Sequence, residues 1–377
     1  MRTERSTKMV PVMPDAALSR GMNRREFLRV GGASLASAVL LANAGNSVLA
    51  RTGPSLKAQF ESAAAEYDVP VQLLLAMGYV NTLWEMPPPT ASDYEEGAIE
   101  GRGAYGTMQL IQNPFTNTLG RAATLTGLSE ELLKSKRAAN VRGGAALLGD
   151  VAGKPRPSDI NSWYEAVAEY GGPLYANEVF QTLKSGASAT ISTGERLQLL
   201  PQESVVVPQL YTAQSTANYA RAVWRPAHYS NYTNASRGAA KINKIVVHVA
   251  QGSYSGTISW FQNPAANVSS HYVVGRKGQV AQCVHNADIA WHAGNWTYNQ
   301  KSMGIEHAGY VSNPNSFTRA MYRSSARLSA YLCKRYGIPI DRQHIMGHNQ
   351  VPGATHTDPG RYWDWRKYMR LIRSFAS

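Results

Sequence analysis

The stretch Gly347–Gly360, GHNQVPGATHTDPG, constrains this chain more than any other. Its prolines and glycines fix backbone shape, so it reads as a loop. Within it, His348, His356 and Asp358 carry side chains that bind metals or move protons. On these residues alone the loop fits a polar surface turn as well as a metal site. A hydrolytic metal needs a further protein ligand and a general base, and both must come from elsewhere. All nine histidines lie at or beyond His228, which confines histidine chemistry to the C-terminal part.

Upstream, residues 242–250 read INKIVVHVA, an apolar β-branched run of the kind that forms a buried central strand. His248 sits near its C-terminal end, where sites in α/β sheets open, although a hydrogen-bonded core histidine fits the same position. The pattern predicts a helix over 255–262, strands over 271–274 and 279–284 around an Arg276-Lys277-Gly278 turn, and a short strand over 303–307 holding Glu306. A long helix over 316–336 and a closing helix over 365–375 follow. Strands mixed with helices indicate an α/β domain over 219–377, with a central mixed sheet flanked by helices.

Five motifs stand here in order: Ile-Val-Val-His at 245–248, Ser-His-Tyr-Val-Val at 270–274, Trp-His-Ala-Gly at 291–294, Gly-Ile-Glu at 304–306, and the Gly-His loop closing in His-Thr-Asp-Pro-Gly. With them the C-terminal domain resembles the zinc-dependent N-acetylmuramoyl-L-alanine amidases, which share a fold with phage amidase lysozymes and peptidoglycan recognition proteins. The resemblance implies that His248, His348 and Asp358 hold Zn2+. Two imidazoles and one carboxylate leave a position for water, the pattern of a catalytic zinc. It implies Glu306 as the general base and His356 as donor to the developing oxyanion. His292 and Asn295 are expected to line the substrate groove, and His344 and His271 to be structural. The expected reaction is hydrolysis of the amide between N-acetylmuramic acid and the L-alanine of the stem peptide. Two alternatives stay open: a non-catalytic peptidoglycan-binding or sensing protein, and a bifunctional amidase and transglycosylase.

The N-terminal part, 54–184, reads as an all-α domain. Helical periodicity runs over 56–67, 71–84, 125–148 and 162–170. Leu73-Leu74-Leu75-Ala76 to Trp84, the run Gly103-Ala104-Tyr105-Gly106-Thr107-Met108-Gln109-Leu110, and Ala168-Glu169-Tyr170-Gly171-Gly172 together resemble the lysozyme-like lytic transglycosylases. That family's catalytic Glu-Ser pair reads Asn81-Thr82 here. An amide cannot protonate a glycosidic oxygen. Glu85 is expected to be solvated, and Glu95, Glu96 and Glu100 lie in the loop before the glycine motif, no better placed to act as the acid. The domain is expected to be a glycan-binding relic. Residues 185–218, rich in Ser, Thr, Ala, Gln and Pro, fit a partly ordered linker and an extended arm packed against the second domain alike.

The net charge is +13, of which residues 1–51 contribute eight Lys/Arg and three Asp/Glu. The basic remainder suits an anionic cell wall, and no basic run interleaved with aromatics points to nucleic acid. Asn23-Arg24-Arg25-Glu26-Phe27-Leu28-Arg29, before an apolar stretch too short to span a bilayer, resembles a twin-arginine signal peptide over 1–50. The mature chain is expected to be a secreted, periplasmic or wall-associated monomer without a membrane span, with peptidoglycan as partner. Cys283 and Cys333 fit a disulfide or two buried thiols equally.

Overall fold

Ser55 opens the first described helix, α1 (Leu56–Tyr67), by accepting a hydrogen bond from the Ala58 N–H. The computed structural model describes residues 54–210, 217–238 and 241–377, so the twin-arginine-like segment lies outside the described residues. After α1 come α2 (Val71–Thr82), the short strands β1 (Ala104–Tyr105), β2 (Leu110–Asn113) and β3 (Thr116–Asn117), and helices α3 (Thr118–Thr126), α4 (Glu130–Ser135), α5 (Arg137–Ala152), α6 (Tyr164–Gly171) and α7 (Pro173–Ser185). Phe60, Leu73, Met77, Trp84, Leu148 and Phe180 form the centre of this half, all fully buried.

The expectation of a purely helical domain needs correcting. Strands β1–β3 form a three-stranded antiparallel sheet. Its turn depends on Gly106, at φ 70°, where an added Cβ would lie 2.3 Å from the Asn140 amide. Buried Asn140 accepts from the Met108 N–H at 2.7 Å and donates to the Tyr105 and Leu133 carbonyls. The linker expectation changes too. Residues 187–190 (β4, Ala187–Thr190) and 196–199 (β5, Arg196–Leu199) pair as a hairpin. Ile191, Leu197, Leu199 and Val205 bury into the helical core, so the apolar residues in this polar segment dock it rather than leave it as a tether.

The second half begins with β6 (Val223–Trp224) and β7 (Tyr232–Thr233), then β8 (Lys244–Val247), α8 (Tyr254–Gln262), β9 (Tyr272–Val274), β10 (Val280–Gln282) and β11 (Ile289–Ala290). Helix α9 (Trp296–Lys301), β12 (Ser302–His307), α10 (Arg319–Tyr336), β13 (Ile345–Gly347) and α11 (Trp365–Ala376) complete it. A six-stranded mixed sheet runs in the order β13-β8-β12-β9-β10-β6. Strands β13, β8, β12 and β9 are parallel, with β10 antiparallel to β9. Every residue of β12 is buried, as a parallel strand covered on both faces requires. Cys283 and Cys333 are both buried and unpaired.

The described residues pack as one unit. Ile99, from the N-terminal half, belongs to the core of the C-terminal half. Trp260 Nε1 donates to the Ala98 carbonyl at 3.4 Å, and Glu178 of α7 accepts from the Ser255 N–H at 3.1 Å at the start of α8. Among the described residues no helix is long and apolar enough to cross a membrane.

Candidate active site

Sheet register assembles the centre. Gly347 of β13 lies beside Val247 of β8, and Val247 beside Ile305 of β12. The next residue along each strand is His348, His248 and Glu306, so three neighbouring parallel strands present their side chains at one carboxyl edge. Asp358 arrives from the loop after β13. Its backbone carbonyl accepts from the Asn349 N–H at 3.0 Å, which folds the loop back on itself. Its Oδ2 accepts from the Val249 N–H at 3.2 Å, which ties the loop to β8. Val351 is buried with Val246 and Met346 under the same loop.

His248, His348 and Asp358 offer ligand atoms that all lie within 4.8 Å of one another, and all three are buried. His348 Nδ1 donates to Asp358 Oδ1 at 3.0 Å. His248 Nδ1 faces Asp358 Oδ2 at 3.4 Å and Glu306 Oε1 at 3.7 Å. Among the described residues, His248 Nδ1, His348 Nε2 and both Glu306 oxygens are buried without a hydrogen-bond partner. Leaving such groups unpaired is costly, and a divalent cation bound between the imidazoles and the carboxylate would satisfy His248 Nδ1, on the side where His348 presents its own Nδ1 to Asp358. The donor set therefore fits a zinc ion.

The electrostatics follow from burial and crowding. Burial, with the neighbouring His348 charge, pushes His248 down to about 4, which keeps it neutral as a ligand must be. Burial acts to raise Asp358, but the bonds from His248 and His348 hold it below the usual carboxylate range. Burial works downward on His348 as well, and there the Asp358 bond and charge win, for a net rise. Glu306 is pushed well above the ordinary range, first by burial and then by the carboxylates of Asp358 and Glu100. A cation held by the neighbouring ligands would act in the opposite direction, favouring the ionised carboxylate that can accept a proton.

His356 is half-buried, stacked on His348 at 4.9 Å between ring centroids. Burial and the His348 charge lower it. The structure does not bring His292 to the groove surface. It is 2% exposed and lies behind His248, with its Nδ1 3.0 Å from His248 Nε2 and its Nε2 3.2 Å from Ser302 Oγ. Asn295 has its amide committed: Oδ1 caps α9 at the Tyr298 N–H, and Nδ2 donates to the Pro352 carbonyl. His271, beside Arg237 and accepting from the Gly304 N–H, sits inside the sheet, and His344 is paired with Asp341. Both are held by contacts within the fold.

Two groups near the centre have no counterpart in the sequence motifs. Glu100 Oε1 lies 3.6 Å from His356 Nδ1. Burial and the Asp358 charge push Glu100 up to about 8. Arg102 is buried over Gly252 and Gly256, and its charge acts on Glu306. No periodicity marks either residue, because both reach the site across the contact between the two halves.

A parallel-sheet edge that collects two imidazoles, a carboxylate between them and an unpaired buried glutamate defines a metallohydrolase. The family model for N-acetylmuramoyl-L-alanine amidase matches residues 238–361, which include every one of those side chains. The chain is 36% identical over 173 residues to N-acetylmuramoyl-L-alanine amidase A of Achromobacter lyticus, covering 41% of this chain and 95% of that protein. It is 35% identical over 112 residues to the 1,6-anhydro-N-acetylmuramyl-L-alanine amidase AmpD of Haemophilus influenzae, covering 28% of this chain and 59% of that one. A crystal structure of a selenomethionine AmpD derivative aligns with a TM-score of 0.34 at 27% identity, covering 41% of this chain and 96% of that one. The chain belongs to the N-acetylmuramoyl-L-alanine amidase family.

Proposed function

We propose that this chain is an exported, zinc-dependent peptidoglycan amidase that hydrolyses the bond between N-acetylmuramic acid and the L-alanine of the stem peptide. The observation that carries the reading is the row of His348, His248 and Glu306 across β13, β8 and β12, completed by Asp358. His248, His348 and Asp358 would hold the ion, which supplies Lewis acidity to the scissile carbonyl and acidifies a bound water. Glu306 takes the proton of the attacking water. The same carboxyl then returns a proton to the departing L-alanine nitrogen, so base and acid are one group. His356, two residues before Asp358, donates a hydrogen bond to the oxyanion that forms when the carbonyl carbon becomes tetrahedral.

The helical half, on its resemblance to lytic transglycosylases, holds glycan without cutting it. Asn81 is buried and donates to the Thr107 carbonyl. The nearby Glu85 carboxylate is bound by the Ser192 N–H and hydroxyl, not free to act as an acid. Asn81, Gln109, Asn113, Tyr170, Tyr175 and Trp260 line a cleft where this half meets α8, a mix of amides and aromatic rings suited to sugars. Export rests on the paired Arg24 and Arg25.

Mass spectrometry of digested peptidoglycan tests the reading. The expected products are free stem peptides and unsubstituted glycan, with no anhydromuramic ends. Their formation should stop with a chelator and fall about 10²- to 10⁴-fold in Glu306→Gln. Full activity in Glu306→Gln would remove the base, and anhydromuramic ends would show that the helical half cuts glycan.

A further inference from the structure

The loop that carries Glu100 is built to reach the amidase centre. Residues 95–102 lie within the helical half between α2 and β1, and they are tight: an added Cβ on Gly101 would lie 2.7 Å from the Glu95 nitrogen. Four contacts pin the loop to the second half. Ile99, the neighbour of Glu100, is 4% exposed inside the α/β core. The Ala98 carbonyl accepts from Trp260 Nε1. Glu96 Oε1 accepts from Asn267 Nδ2 at 2.8 Å. Arg102 Nη2 reaches the Gln251 carbonyl at 3.4 Å, through space that only the absence of side chains at Gly252 and Gly256 leaves open. Held among these contacts, Glu100 lines the same cleft as His356 and Asp358.

There it meets an imidazole with a job to do. His348 supports one face of the His356 ring, and Glu100 Oε1 stands 3.6 Å from its Nδ1. At that separation the pair is an electrostatic contact, and a carboxyl facing one ring nitrogen biases the imidazole to present the other nitrogen as the donor. We infer that Glu100 is a positioning residue of the amidase reaction: from outside the segment 238–361 that the family shares, it holds His356 through Nδ1 and leaves Nε2 to serve the substrate carbonyl. The helical half then completes the amidase centre as well as lying beside it. This inference rests on the reading of His356 as the oxyanion donor.

Steady-state kinetics of the full chain on a soluble muramyl peptide separate the two ideas. Four proteins are needed: wild type, Glu100→Gln, His356→Ala and the double variant, each with its bound zinc measured. Glutamine preserves the shape of Glu100 and removes a carboxyl that burial already disfavours, so folding is not at risk. The expected result is a fall in kcat of about ten-fold for Glu100→Gln, with KM changed less than about two-fold and zinc content unchanged. In the His356→Ala background the same change should have almost no further effect, because the group it positions is gone. Equal losses in both backgrounds, a wild-type kcat, or a loss of zinc would each overturn the inference. If His356→Ala is slow while Glu100→Gln is not, the role of His356 stands and only that of Glu100 falls. If His356→Ala keeps its kcat, both fall together.

Discussion

Each imidazole near the centre has two nitrogens, and its role depends on what takes the second. His248 gives Nε2 to His292, which leaves Nδ1 for the ligand cluster. His307 grips the His248 carbonyl with Nδ1 and Ser325 with Nε2, so it fixes the backbone of the ligand rather than touching the site. From this arrangement His292→Ala should weaken zinc binding 10- to 100-fold in a chelator competition, the usual effect of removing the partner of a liganding histidine. Saturating zinc should restore most of the activity. Unchanged zinc affinity together with a raised KM would put His292 back in the substrate groove. From sequence, Trp-His-Ala-Gly is a loop whose histidine fits the groove and loop packing alike. Its burial comes from β8, 44 residues away in the chain, and from Gly304, whose missing side chain makes room for the His292 ring. His248, His348, Asp358 and Glu306 were singled out because each sits in a motif that carries the family resemblance, and the structure brings the four together. Glu100 was not, because its meaning lies in a contact 256 residues distant.

Local patterning located the elements well where periodicity and stop signals agree. The helix over 56–67 has the predicted bounds, since Asp68 ends it in a left-handed cap at φ 52°. The single helical region read over 125–148 is three helices. Gly127 caps α3 at φ 68°, Ser129 starts α4 by accepting from the Leu132 N–H, and α5 follows directly. Helix α7 escaped notice because Gly172-Pro173 looks like a breaker, whereas proline at the first helical position is favourable. The glycine motif at 103–110 is the element whose folding role can be tested most directly. Gly106→Ala forces a side chain into φ 70° and against Asn140, whose amide makes three buried bonds. The cost should be about 2–4 kcal/mol, from roughly 1 kcal/mol of left-handed strain plus a disrupted buried network. Urea unfolding measures it, and a loss below about 1 kcal/mol would mean that the turn relaxes without disturbing Asn140.

At the scale of the whole molecule, composition separated a histidine-free half from a histidine-bearing one, and nothing in it announced that the two would pack as one unit. The contact uses residues with no pattern of their own, such as Ile99, Trp260 and Glu178. Glu178 gives this contact a pH signature. Its carboxylate accepts from the Ser255 N–H and from Gln279 Nε2. Loss of water still dominates over those bonds and the Lys277 charge, and raises the group above its ordinary 4.5. An acid whose folded value is raised binds its proton more tightly in the folded state. Its contribution to stability is therefore greatest below pH 4.5, declines as pH climbs from there through the folded value, and is constant above it. Glu178→Gln removes that decline. Urea midpoints of wild type and variant at about pH 4 and pH 7 isolate it, because the other titrating groups are common to both proteins. The midpoint of the variant relative to wild type should rise between the two pH values, whatever the lost bonds cost at either one. A difference that stays constant, or shrinks, would mean that water reaches this carboxylate in the folded protein, and that the two halves are less closely joined along α7 and α8 than their contacts require.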